Sequence, residues 1–228
     1  MNNKKCTSAI CKRVERKQMN LSSNATFLFQ GDSITDCDRS YDNDINLGTG
    51  YVMMAARLFH TRHPEKRVSF INRGMNSNKV SDLRKRWQND CLDLRPDMVT
   101  ILIGINDIAR VFFQRTTSNK SFEEDYRTIL EQTRSIGAKI VLMEPFILNT
   151  NGKRLKMRKK LSPKIEIIGK LSAEFNATLI PLSMIFLGAE KAKEPAFWSN
   201  DGFHPTIEGH ELIAESWTRT IDNSLGSG

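Results

Sequence analysis

Short apolar runs alternate with segments of helical periodicity along this chain, and that alternation leaves few folds open. Residues 25–30 (ATFLFQ), 67–72 (RVSFIN), 98–103 (MVTILI), 139–143 (KIVLM) and 177–182 (ATLIPL) read as buried strands, bounded by polar or glycine-containing stretches. Between and after them, residues 51–60, 80–92, 121–136, 163–175 and 207–221 read as helices. In the second of these, Val80, Leu83, Trp87 and Cys91 fall on one stripe, so core packing is the reading for Trp87. The third opens on SFEE, with Ser121 as expected N-cap and Glu124 completing a capping box. Strands that are apolar on both faces and separated by helices predict a parallel sheet covered on both sides. The expected fold is therefore a three-layer α/β/α sandwich with a five-stranded parallel sheet. Residues 23–223 are expected to form a single domain, preceded by a basic, flexible arm at 1–22.

At 228 residues the chain is long enough to bury a sizeable core. No stretch approaches the ~18 uninterrupted apolar residues of a membrane helix. The basic N-terminus is followed by no apolar h-region, so a cytoplasmic protein is expected. Cys6, Cys11, Cys37 and Cys91 show neither a CxxC pair nor zinc-ligand spacing, and read as reduced thiols. The net charge of +8 is unevenly placed: residues 1–20 carry +5 and residues 153–164 (KRLKMRKKLSPK) carry +7, which leaves −4 on the rest. Two basic patches on a mildly acidic body, without interleaved aromatics, do not make a nucleic-acid footprint. Solvated charge is the expectation for both.

In open α/β sheets ligands bind beyond the carboxyl ends of the strands. Those ends carry Gly31-Asp32-Ser33, Arg73-Gly74-Met75-Asn76, Gly104-Ile105-Asn106-Asp107 and Glu144-Pro145. A serine hydroxyl needs a base to take its proton and a third group to orient that base. Of four histidines, His60 and His63 read as a solvated helix end, and His210 as structural or exposed. His204 stands in a loop three residues after Asp201 and directly before Pro205, so one turn can bring the carboxylate to one imidazole nitrogen. The other nitrogen is then free for Ser33. Gly74 and Asn106 follow the second and third strands and are candidate oxyanion donors, beside the N–H of Ser33; singly, each also fits ordinary turn chemistry.

Four ordered blocks carry a family resemblance: GDSIT at 31–35, Gly74 within NRGMNSN, GIND at 104–107 and DGFHP at 201–205. Together they resemble the SGNH hydrolases, or GDSL esterase/lipase family, over residues 27 to about 220. The resemblance implies a flavodoxin-like sandwich. It implies Ser33 as nucleophile, His204 as general base then acid, and Asp201 as orienter of the histidine. It further implies an oxyanion hole from the Ser33 N–H, the Gly74 N–H and the Asn106 side chain, and no metal or organic cofactor. No GxSxG elbow is present. LGTGYV, ILIGINDI, KIVLMEPF and HPTIEGHELIA are similar to the bacterial branch of acetylxylan and acetyl-xylooligosaccharide esterases. Relatives usually have Ser-Gly where Asn76-Ser77 stands here, next to the site.

A serine esterase acting on a short-acyl, chiefly acetyl, ester of a carbohydrate is expected, with a small-molecule or oligosaccharide ester as substrate. Trp198, three residues before Asp201, either stacks a sugar or packs structurally. An acyl-CoA thioesterase or lysophospholipase-like activity is the rival, with residues 153–164 following the fourth strand as a possible attraction for phosphate. A non-catalytic carbohydrate- or protein-binding module on the same fold is the reading from outside the hydrolases. The oligomeric state stays open, a homo-oligomer included.

Overall fold

The computed structural model describes residues 24–43, 45–108 and 116–225. The expected arm at 1–22, with Cys6 and Cys11, lies outside them. Five strands, β1 (Thr26–Gly31), β2 (Ser69–Gly74), β3 (Met98–Leu102), β4 (Lys139–Met143) and β5 (Thr178–Ile180), pair in parallel in the order β2-β1-β3-β4-β5. That is the flavodoxin-like order. Nine α-helices lie among the described residues: α1 (Ser33–Asp36), α2 (Tyr51–Arg62), α3 (Val80–Trp87), α4 (Ile105–Ile108), α5 (Asn119–Ser135), α6 (Gly152–Glu174), α7 (Leu182–Ala189), α8 (Pro195–Trp198) and α9 (Ile207–Leu225). A π-helical turn, Gln88–Leu92, prolongs α3.

Side-chain alternation along the strands builds the two cores. Phe27 and Phe29 of β1 join Tyr51, Ala55 and Phe59 of α2 and Ile213 and Trp217 of α9 on one face. Leu28 points the other way, to Leu83 and Trp87 of α3 and Tyr126 and Ile129 of α5. Trp87 is fully buried in this second core, as its stripe predicts. Thr100 would be a buried polar group in the middle of the sheet, but the Trp217 indole N–H donates to its Oγ1 at 3.0 Å.

Three local expectations are corrected. Helix α5 begins at Asn119 with Ser118 as its N-cap, whose Oγ accepts the Ser121 N–H at 3.0 Å. Ser121 is therefore a helical residue and not the cap. Helix α6 begins about three turns before Pro163, which it carries in its interior. The basic stretch lies within that helix and is not uniformly solvated. Lys164 is 1% exposed and donates to the carbonyls of Thr117 and Ser118 at 2.9 Å each. Arg158 donates to Ile147 O at 2.6 Å and pairs with Glu190. No helix among the described residues is long and apolar enough to cross a membrane.

Candidate active site

The first strand stops at Gly31 because α1 starts at once. Buried Asp32 is the N-cap, and its Oδ1 accepts the Ile34 N–H at 3.1 Å. Ser33 is thereby the first residue of a short helix, standing at the carboxyl edge of the sheet. Its own N–H makes no hydrogen bond among the described residues. Burial pushes the Asp32 carboxyl up to about 7, with the Ile34 N–H and His204 pulling down and Asp107 adding to the rise.

The serine Oγ lies 2.9 Å from His204 Nε2, and His204 Nδ1 lies 2.7 Å from Asp201 Oδ2. The loop that carries both partners is fixed by its own backbone. Asp201 Oδ1 accepts the N–H groups of Phe203 and His204, each at 2.8 Å, and the Ser199 hydroxyl at 3.2 Å. Gly202 between them has φ +84°, and a Cβ there would fall 2.7 Å from Leu148 O, so the turn excludes a side chain. Partial burial by itself would raise the Asp201 carboxyl, but His204 and the two backbone donors outweigh it and hold the group at about 2. An ionised Asp201 keeps the proton on His204 Nδ1, which leaves the Nε2 lone pair to accept the hydroxyl proton of Ser33. The chain Asp201–His204–Ser33 is a relay for activating an alcohol.

Asn106 sits on α4 just past the end of β3, 8% exposed, and its Nδ2 donates to Asn78 O at 3.1 Å. That bond ties it to the turn following β2. An amide nitrogen has two hydrogens, so one is left for a ligand.

The structure places Gly74 differently from the expectation. Its N–H donates to Asn72 Oδ1 at 2.8 Å, inside the strand end. What the glycine supplies is space: a Cβ would lie 2.2 Å from the backbone nitrogen of Asp36. Three residues on, Ser77 has φ +61°, lines the same cavity as Ser33 and Asn106, and leaves its N–H without a partner among the described residues. Ser77 stands where relatives usually have glycine, the residue that this backbone conformation favours.

Trp198 does not line the cavity. Its indole N–H donates to Ala189 O at 3.2 Å, and it packs against the larger core. His60 and His63 are not free surface groups either: His60 Nε2 meets Val68 O at 2.9 Å, and His63 Nε2 meets Asp222 Oδ1 at 2.8 Å. The cavity itself has a volume of about 700 Å³. Its wall includes Asp36, Asp38 and Tyr41, from a polar stretch that no periodicity marks. No group of three or more metal-ligating side chains is found among the described residues.

The profile of the GDSL-like lipase/acylhydrolase family matches residues 29–212. This chain belongs to that family. The GDSL-like family is one of carboxylic ester hydrolases, and the serine–histidine–aspartate relay stands at the sheet edge of this member. The chain is 31% identical over 212 residues to an acetylxylan esterase of Geobacillus stearothermophilus, covering 89% of this chain and 96% of that one. A crystal structure of that esterase superposes with a TM-score of 0.84 at 30% identity, over 92% of this chain and all of the other. A GDSL-like lipase structure from Parabacteroides merdae superposes equally well, at 0.84 with 35% identity, over 90% of this chain and 98% of that one.

Proposed function

We propose that this GDSL-like hydrolase is a serine esterase that removes a short acyl group, acetyl above all, from a carbohydrate hydroxyl. The unbroken Asp201–His204–Ser33 chain opening on the cavity carries the esterase part. Ser33 attacks the ester carbonyl while His204 takes its proton. His204 then returns that proton to the departing alcohol. Water repeats the sequence on the acyl-serine, releases the acid and regenerates Ser33. Asp201 orients the imidazole and balances the charge it gains.

The developing oxyanion is held by three donors: the Ser33 N–H, the Asn106 side chain and the Ser77 N–H. The last takes the role expected of Gly74, whose N–H is already bonded to Asn72. All three donors belong to residues lining one cavity, where donors aimed at the developing charge act most strongly.

The carbohydrate part rests on the cavity wall and on the likeness to an acetylxylan esterase. Asp36 and Asp38 face the same space as Ser33, which favours a neutral polyhydroxylated alcohol over a polyphosphate. Among the described residues of the basic stretch none lines that space.

A series of acetyl, butyryl and octanoyl esters of xylooligosaccharides, beside acetyl- and longer acyl-CoA, tests the proposal. Acetyl-sugar turnover in the wild type, lost in Ser33→Ala, is expected. Faster turnover of the CoA thioesters, or of octanoyl over acetyl, would defeat the substrate assignment.

A further inference from the structure

Among the described residues Tyr41 is the most exposed aromatic side chain. It is 54% exposed and lines the cavity that contains Ser33 and His204. An exposed ring is ordinarily free to change rotamer, but this one is held at two points. Its hydroxyl donates to Asp36 Oδ2, and the Arg39 guanidinium carbon lies 4.3 Å above one ring face.

Both anchors are themselves fixed. Arg39 is 7% exposed and donates from Nε to Gly74 O at 2.6 Å. The same Asp36 Oδ2 accepts the Asn76 N–H at 2.9 Å, so the ring is connected to the turn that carries Ser77. With one face covered and the hydroxyl engaged, the exposed area is the opposite face and the rim. A ligand laid on that face meets a side chain whose ordering cost has already been met by folding.

We infer that the open face of Tyr41 is the platform for a pyranose ring of the ester's alcohol part, an inference that rests on the carbohydrate-esterase reading. A pyranose has an apolar C–H face that matches an aromatic ring and a rim of hydroxyls that need partners. The electron-rich face of the ring attracts those C–H groups. The carboxylates of Asp36 and Asp38, on the same wall, are acceptors for the rim hydroxyls. The cavity's roughly 700 Å³ is far more than an acetyl group fills, and is within the range of sites that enclose a small ligand.

The experiment compares wild type, Tyr41→Phe and Tyr41→Leu on two acetates: acetylated xylotriose and ethyl acetate, which has no ring. The quantity read is the ratio of kcat/KM for the sugar ester to that for ethyl acetate. Tyr41→Leu is expected to lower the ratio about tenfold, through KM for the sugar ester. Tyr41→Phe keeps the ring and is expected to keep the ratio within about threefold. A ratio unchanged in Tyr41→Leu overturns the platform, as does an equal fall in Phe and Leu, which would assign the effect to the lost Asp36 bond. Ethyl acetate turnover by the wild type reads the esterase separately, so its absence defeats the underlying reaction and not merely the platform.

Discussion

The backbone N–H of Tyr51 donates to Nδ1 of His210 at 3.1 Å, so an imidazole of the closing helix caps the start of α2. Because Nδ1 accepts, Nε2 must carry the proton of the neutral ring, and it faces Cys37 Sγ at 3.5 Å. His210 is therefore unable to act as a base toward that cysteine, although both line the cavity.

Burial first, and the neighbouring His204 second, push His210 down to about 4 from its ordinary 6.5. As pH falls from 6.5 toward 4, the unfolded chain takes a proton that the folded chain refuses, and stability is lost through that window. Asp32 works in the opposite direction: raised to about 7 from 3.8, it holds a proton in the folded chain that the unfolded chain releases, so its stabilising share is lost as pH rises through 3.8 to 7. The two slopes oppose each other between pH 4 and 6.5. His210→Gln, which retains an acceptor, is expected to expose the Asp32 slope. Relative to wild type, its stability should change by ~1 kcal/mol per pH unit across that window, becoming more favourable toward acid. Urea melts at five pH values measure this; parallel curves for the two proteins would refute the assignment.

Asn106→Ala removes the proposed oxyanion donor at the cavity wall. Turnover of an acetyl ester is expected to drop by a factor of about 100–1,000, with the circular dichroism spectrum retained. Hydrolysis at the wild-type rate would take Asn106 out of the mechanism.

Ser77→Gly separates the backbone from the side chain at the proposed donor. The N–H stays, and the positive φ becomes unstrained, so turnover is expected to remain within a few-fold of wild type. The folded state should gain ~0.5–1 kcal/mol in chemical denaturation. A hundredfold loss of turnover would instead make the Ser77 hydroxyl the group that matters.

Asn72 is a buried polar hub. Its Nδ2 donates to Thr35 O at 2.7 Å and Leu47 O at 2.9 Å, while its Oδ1 accepts the Gly74 N–H. Asn72→Leu leaves those three backbone groups unpaired at about 1–3 kcal/mol each, enough to unfold a marginally stable protein. Thermal melting of the purified variant within 5 °C of wild type would show that water replaces the amide.

All five strands were legible as short apolar runs, and the helices between them made the parallel sheet legible; its flavodoxin-like order was implied only by the family resemblance. The relay Ser33–His204–Asp201 was legible from strand-end placement and the short Asp201-to-His204 spacing. Helix starts were less so. Pro163 normally marks a first turn, yet α6 runs through it, because the preceding segment is tied down by Arg158 on Ile147 O and Glu190. Gly74 looked like a donor because glycine permits close approach; the approach is real, but it is to Asp36 and not to a ligand. Tyr41 was invisible, since what distinguishes it is a tertiary anchor that leaves no pattern in composition; Ser77 was marked only as the place where relatives have glycine, and that glycine is the trace of the positive φ found there.

Ser33 and the His204 that meets it are 171 residues apart along the chain. Contacts of such long range raise the contact order, which slows folding, and the Ser33–His204 contact needs both β1 and the loop before the closing helix in place. Helical signal in a refolding experiment should therefore recover ahead of ester hydrolysis. A nascent chain that has not yet delivered residue 204 carries the proposed nucleophile without its proposed base, which would make hydrolysis a sensor of completed folding.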